Sequence, residues 1–432
     1  MYRLIPRLAR LMAAAIAIVV LLPLTARAQA EGHEAQEQIQ EQAAEAAERQ
    51  SRADPTMVGP IVWSMLATPV HPVTGTDGRI HLIYELHVTN ASRYNVRLRS
   101  IEVLDARDHR VTGVNQVFSS DGQDVTGKVR PFSLAQQTQD AADYTDRLGP
   151  GEGGVVYFDV TYGALRDLPR SLKHRFIVSF RGPDQETQVF TVIGEGTKVS
   201  REEALVIAPP LKGANWLIVN GSGPIISPHR YTTQATNGGL RPPEHFAIDV
   251  IRLDTQWRAY AGDPSDVRSW HSYGADVVSA TPGKVIEVVN DLKDQVPGEP
   301  LSGITAETAA GNHVIVEIGQ GRYALYAHLI PGSVSVSEGN YVLPGQLLGK
   351  LGNSGNSDAP HLHFQIMDSP SVLNTRGLPF YFEGMVYQGR FVGSIDEVAE
   401  ALFTGKNPTL DGRGAGARAL QMPLTLNLIG FN

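Results

Sequence analysis

The sequence predicts a mainly β protein in which two β domains follow one another. Three observations carry this. Short runs of alternating apolar and polar residues recur along the chain, the period at which side chains change face on a strand. Between them fall turns drawn from 43 glycines and 27 prolines. Long amphipathic helical periods are missing from the domain stretches. At 432 residues the chain is long enough for two or three hydrophobic cores.

The N-terminus reads as a secretory signal over residues 1–30. Arg3, Arg7 and Arg10 form a basic region, and Leu11 to Leu24 an apolar run of 14 residues. A membrane span needs about 20, so the run fits a cleaved signal better than an anchor. Ala26-Arg27-Ala28 and Ala28-Gln29-Ala30 offer cleavage sites. The expectation is a periplasmic or secreted protein with no transmembrane anchor after cleavage. There is no cysteine, which excludes a disulfide framework and a lipidated cysteine. The formal charge is −8; losing residues 1–30 removes four arginines and no acid, leaving −12. That balance argues against nucleic acid as a partner.

Residues 31–56 are rich in Glu, Gln and Ala and have no apolar stripe, so they read as a polar spacer. Residues 57–198 hold strand patterns at Ile80 to Asn90, Arg97 to Leu104, Gly154 to Thr161, Phe176 to Phe180 and Gln188 to Ile193. Several short strands between turns predict an antiparallel sandwich, roughly immunoglobulin-like. His71, His81, His87 and His109 lack metal-ligand spacing, so this domain reads as a structural or targeting module. Residues 199–240 form a connector with a short strand at Trp216 to Val219. Residues 241–368 are again mostly strands: Gly283 to Val289, His313 to Ile318, Arg322 to His328 and Leu347 to Leu351. Asp254 to Tyr273 and Asn290 to Ala310 are long polar loops of the kind that wall a site. The C-terminal extension, 369–432, offers strand over Phe380 to Val392, a helix at Ile395 to Phe403, and a closing segment at Leu420 to Ile429.

The chemistry-bearing residues sit in 241–368. On a strand through Pro360 to Ile366, His361, His363 and Gln365 share one face, and Leu362, Phe364 and Ile366 the other. Glu244 to Val250 repeats the pattern with His245, Ala247 and Asp249. Ala324 to Leu329 adds His328. Without cysteine, a tetrahedral zinc site must draw on His, Asp and Glu, with one position left for water. His245 and Asp249 are four residues apart, about 13 Å on a straight strand. Sharing an ion therefore requires a bend or turn between them. His229, His271 and His313 read as structural or incidental.

The ordered motifs His245-x-x-x-Asp249, Tyr326-Ala327-His328-Leu329, and Gly352-Asn353-Ser354-Gly355 followed by Pro360-His361-Leu362-His363-Phe364 resemble those of the lysostaphin-type (LytM-domain) zinc metalloendopeptidases. The resemblance covers about 241–368. It implies a compact antiparallel β peptidase domain with a groove and one Zn²⁺ per chain. The implied zinc ligands are His245, Asp249 and His363; His328 and His361 are the implied catalytic histidines. Two departures stand out: Phe246-Ala247 where the family commonly has a glycine, and a longer segment from Asp249 to Val277. Together with the signal peptide, the resemblance implies an exported hydrolase acting on peptidoglycan peptides. A periplasmic protein partner could bind through the N-terminal sandwich. The competing reading is a non-catalytic module that binds cell wall or regulates another hydrolase. The connector is also placed to lay Asn215 or Asn220 over the metal.

Overall fold

A computed structural model describes residues 59–105, 107, 110–111, 128–131, 144–194 and 196–431. The predicted signal peptide and the whole of the polar spacer lie outside the described residues. Among the described residues, no helix is long and apolar enough to cross a membrane.

The N-terminal half is two five-stranded sheets. In the first, Ile80–Asn90 lies between Ile61–Met65 and Gly153–Tyr162; in the second, Ser171–Arg181 pairs with Val96–Asp105 and Thr187–Ile193. Leu82, Tyr84, Leu86 and Val88 of the first sheet pack with Val96, Leu98, Phe176 and Val178 of the second. The alternation predicted the strand Ile80–Asn90 to the residue. Yet this strand is buried along almost its whole length rather than on one face. Its even-numbered residues fill the sandwich core. Its odd-numbered residues, His81, Ile83 and Glu85, face the C-terminal half, whose core Ile83 joins. Polar His81 and Glu85 are fully buried, so the outer face of this sheet is an interface and not a solvated surface.

The C-terminal half is organised by a twelve-stranded sheet. Its path runs through Gly283–Val289, Asn312–Gly319, Arg322–Leu329, Leu362–Met367, Ile248–Arg252, Gly213–Asn220, Asn427–Phe431 and Met385–Phe391. The connector strand Gly213–Asn220 and five strands from residues 369–432 are thus members of the same sheet as the motif-bearing strands. One face carries the main core, with Phe364, Tyr326, Ile248, Val250, Leu362 and Ile366 all buried. The C-terminal segment also reaches the sandwich. The Met422 amide bonds the Thr74 carbonyl at 2.9 Å, and the Thr76 hydroxyl bonds Asn427.

The helix Ile395–Phe403 forms where predicted. Ser394 and Glu397 close a reciprocal capping box at its start, satisfying two otherwise orphaned amides. Its buried residues Ile395, Val398 and Leu402 pack on Leu253, Ala259 and Trp270. The long insertion after Asp249 is therefore pinned against the C-terminal helix.

Candidate metal centre and its histidines

The strand register assembles the centre. Asp249 lies opposite His363, and His363 lies opposite Ala327. On the other flank Asn220 lies opposite Asp249. Directly opposed residues share a face, so Asn220, Asp249 and His363 form a polar row across three strands. It lies on the face opposite Phe364 and Leu362. The predicted face of His361, His363 and Gln365 is present: His363 Nε2 meets the Gln365 side-chain oxygen at 3.1 Å. The opposite nitrogen, Nδ1, is 2.9 Å from Asp249 Oδ1.

Simple alternation would put His328 on the wrong face, because its neighbour Ala327 already shares the face of His363. The backbone of His328 sits at φ +62°, a costly conformation for a residue with a Cβ. It swings the ring to within 4.6 Å of the His361 ring and 5.8 Å of the His363 ring, centroid to centroid. His328 Nδ1 donates to the Ser354 carbonyl at 2.7 Å. Two glycines make that turn possible. Gly355 has φ +80°, and a Cβ there would stand 2.4 Å from the Gly311 nitrogen; a Cβ on Gly311 would stand 2.3 Å from the Ser354 carbonyl oxygen. His361 Nδ1 donates to the Ala359 carbonyl at 2.8 Å, and its Nε2 lies 3.4 Å from Asp249 Oδ1. Both histidines thus spend Nδ1 on backbone, which leaves Nε2 as the proton-exchanging nitrogen, held beside Asp249 in the case of His361.

The third corner of the centre is His229, not His245. Ligand atoms of His229, Asp249 and His363 all lie within 4.8 Å of one another. His229 Nε2 is 2.9 Å from Asp249 Oδ2, and its Nδ1 donates to the Ala247 carbonyl at 3.1 Å. His245 does sit in a turn, as the spacing required: the strand starts only at Ile248, and the Ala247 amide bonds the Glu244 carbonyl at 3.0 Å. That turn aims the ring away from Asp249. His245 Nδ1 lies 2.8 Å from Glu85 of the sandwich, and Nε2 lies 3.2 Å from the Ile83 carbonyl oxygen. The expectation of His245 beside Asp249 is therefore corrected, while Asp249, His363, His328 and His361 come together as expected. His229 was missed because no motif ties it to Asp249, twenty residues on. The available signal was the strain in the four-residue spacing, which left room for another histidine. His313 bonds Gly311 and Glu287, and His271 lies 3.8 Å from Asp254; neither joins the centre.

Asn220 donates Nδ2 to Asp249 Oδ2 at 2.8 Å, whereas Asn215 pairs with Gln388. The electrostatics follow from the geometry. Burial alone would raise the Asp249 carboxyl, but His229 and His361 beside it hold it well below the usual range. Burial would lower His229, and Asp249 overrides that and raises it to about 9. Burial would lower His361 too, and the same carboxylate overrides that and raises it. Burial, with His361 and His363 alongside, pushes His328 well below an ordinary imidazole.

The donor set fits a zinc ion: two imidazoles and a carboxylate with no thiol, the composition of hydrolytic sites that keep one position open. Each candidate ligand also has an outer partner, the Ala247 carbonyl on His229, Gln365 on His363 and Asn220 on Asp249. Such partners fix ring orientation and tautomer around a metal.

The fold and the centre together define a β-sheet domain built around a metal-competent His-Asp-His cluster. In the comparison with known proteins, residues 269–375 match the family described as Peptidase family M23. The match includes His328, His361 and His363 and stops short of His229 and Asp249. The recognition of a lysostaphin-type (LytM) peptidase domain from its motifs thus stands. Among solved structures, the chain is similar to the catalytic domain of lysostaphin from Staphylococcus simulans. The two are 24% identical over 33% of this chain and 80% of that one, with a TM-score of 0.20. A putative M23 peptidase from Pseudomonas aeruginosa is 16% identical over 63% and 92%, with a TM-score of 0.23. A zinc-containing peptidase from Vibrio cholerae is 14% identical over 72% and 84%, with a TM-score of 0.20.

Proposed function

We propose that the protein is an exported zinc metalloendopeptidase that cleaves peptide cross-links or stem peptides of bacterial peptidoglycan. The observation that carries this is the pairing of a metal-competent cluster, His229, Asp249 and His363, with two further histidines beside it, His328 and His361, each held at Nδ1 by a backbone carbonyl. A peptidase family match over the same domain supports the reaction class. Export is supported by the sequence of residues 1–30.

His229 Nε2, Asp249 and His363 Nδ1 would hold a zinc ion, which would supply a Lewis acid to lower the pKa of water and polarise a scissile carbonyl. The chain's own contribution is proton transfer and positioning. His328, kept neutral by burial and its neighbours, offers Nε2 as a base. His361, with its pKa raised by Asp249, can donate Nε2–H to a developing oxyanion or to the leaving amine. Backbone carbonyls hold both rings in the required tautomer.

The test is hydrolysis of purified peptidoglycan by the mature protein beside His361→Ala, with products identified by mass and zinc measured on both samples. Cleavage by the wild type, and zinc retention without cleavage by the variant, is the expected result. Zinc binding by both with cleavage by neither would instead make the protein a binding or regulatory module.

A further inference from the structure

The short turn Pro228–Tyr231 sends neighbouring side chains to opposite places. His229 enters the metal centre. Arg230 enters the sandwich, where it is fully buried. Its Nε donates to Glu85 Oε1 at 2.7 Å, and its Nη2 donates to the carbonyls of Tyr84 at 3.1 Å and Phe158 at 3.2 Å. Glu85 is itself fully buried, with His245 against its other oxygen. Tyr231 adds a second anchor: its hydroxyl accepts from Tyr144 at 2.9 Å, and the Arg130 guanidinium lies 4.3 Å from its ring centroid. Within the turn itself the bonds are few, Arg230 N to Ser227 O at 3.0 Å and Thr232 N to His229 O at 3.3 Å. A single turn of 3₁₀ backbone has little rigidity of its own. The Thr232 hydroxyl adds a bond to the His229 carbonyl at 2.7 Å and the Ala247 carbonyl holds the ring, but the seat of the turn itself depends on what holds Arg230.

We propose that Glu85, acting through Arg230, is a positioning residue for the metal ligand His229. The N-terminal sandwich is then a working part of the metal centre and not only a module attached to it. This rests on the reading of His229 as a ligand. The guanidinium fork makes the coupling directional, since it meets one carboxylate and two carbonyls in fixed geometry. A buried ion pair of this kind does little for net stability yet can specify one arrangement over others. Here the arrangement specified is the one that turns His229 toward Asp249.

The experiment uses the full mature chain. Glu85→Gln is compared with the wild type and with Glu102→Gln, which breaks a carboxylate–guanidinium pair with Arg175 in the far sheet. Zinc affinity is measured by chelator competition and ligand geometry by the visible absorption of the cobalt-substituted protein. Near-ultraviolet circular dichroism confirms the fold. Glu85→Gln is expected to lose about 10–100-fold in zinc affinity, the range seen when an outer partner of a ligand is removed, and to change the cobalt spectrum. Glu102→Gln is expected to do neither. A folded Glu85→Gln protein with wild-type zinc affinity and cobalt spectrum would overturn the proposal. If Glu85→Gln does not fold, the double variant Glu85→Leu with Arg230→Met removes both charges together, a change buried pairs often tolerate. The same loss of affinity is expected of it, and wild-type affinity would again overturn the proposal. A wild type that binds neither zinc nor cobalt would remove the ligand reading itself, a distinct failure.

Discussion

Two buried carboxylates, Glu85 and Asp249, sit on either side of one short turn, and their surroundings could hardly differ more. Glu85 is bound by Arg230, whose charge is permanent, and touched by His245. Asp249 is surrounded by His229, His361 and His363, which can each give up a proton. A carboxylate closed by a guanidinium has no room for a metal. One ringed by imidazoles can exchange protons for a divalent ion. Adjacent residues, His229 and Arg230, thus end in a reactive and an inert version of the same pairing. The difference lies in the chemistry of the cation and not in burial, since both acids are buried.

The sharpest way to break this comparison is to remove each acid. Asp249→Ala is expected to abolish stoichiometric zinc, by metal analysis after dialysis, while leaving the far-ultraviolet spectrum intact. Glu85→Ala strands the Arg230 charge in the interface. It is expected to cost about 3–5 kcal/mol of unfolding free energy in denaturant titration. If instead Glu85→Ala were as stable as the wild type, the closed character of that pair would be wrong.

The two non-ligand histidines come next. His328→Ala and His361→Ala should each lower kcat by about 10²–10⁴, the usual range for lost acid–base catalysis, with zinc content unchanged. Loss of zinc from either variant would make that residue a ligand. A smaller effect belongs to Gln365, which orients His363 from behind. Gln365→Ala should weaken zinc about 10-fold or somewhat more, read by chelator competition.

The pH dependences of the two acids should diverge. In the metal-free protein His229 is raised to about 9 by Asp249. Below that pH, zinc must displace its proton, so affinity should rise about tenfold per pH unit between pH 6 and 8. A flat profile would contradict the assignment of His229. Glu85 behaves oppositely. Burial would raise it, but His245 and Arg230 pull it down to about 2. Its contribution to stability is complete above its ordinary value of 4.5 and is lost as pH falls through 2. The full contribution is about 3 kcal/mol at most, of which about 2 kcal/mol should be lost between pH 5 and pH 3, measured as unfolding free energy at the two pH values.

Much of this was legible in the chain. The alternation placed the strand Ile80–Asn90 to the residue, and the helix offered at Ile395 to Phe403 is present. It also put His363 and Gln365 on the face opposite Phe364 and Ile366. What alternation could not supply was the third dimension. Nothing local marks Glu85 as an interface residue, because a glutamate on a strand face ordinarily meets water. His328 reached the centre only through a left-handed backbone that breaks the period. His245 misled because a matching spacing says nothing about which way a turn aims its side chain. The strands Gly213–Asn220 and Asn427–Phe431 lie next to each other in the sheet, though some two hundred residues separate them in the chain. Such pairings are set by packing and leave no trace in a window of sequence.

The most direct measurement is zinc affinity for two single variants, His229→Ala and His245→Gln, prepared side by side in the full mature chain. His229→Ala should lose stoichiometric zinc, and His245→Gln should stay within about tenfold of the wild type, as a residue outside the ligand set. The reverse pattern, zinc kept without His229 and lost without His245, would show that the motif spacing and not the folded geometry names the ligand.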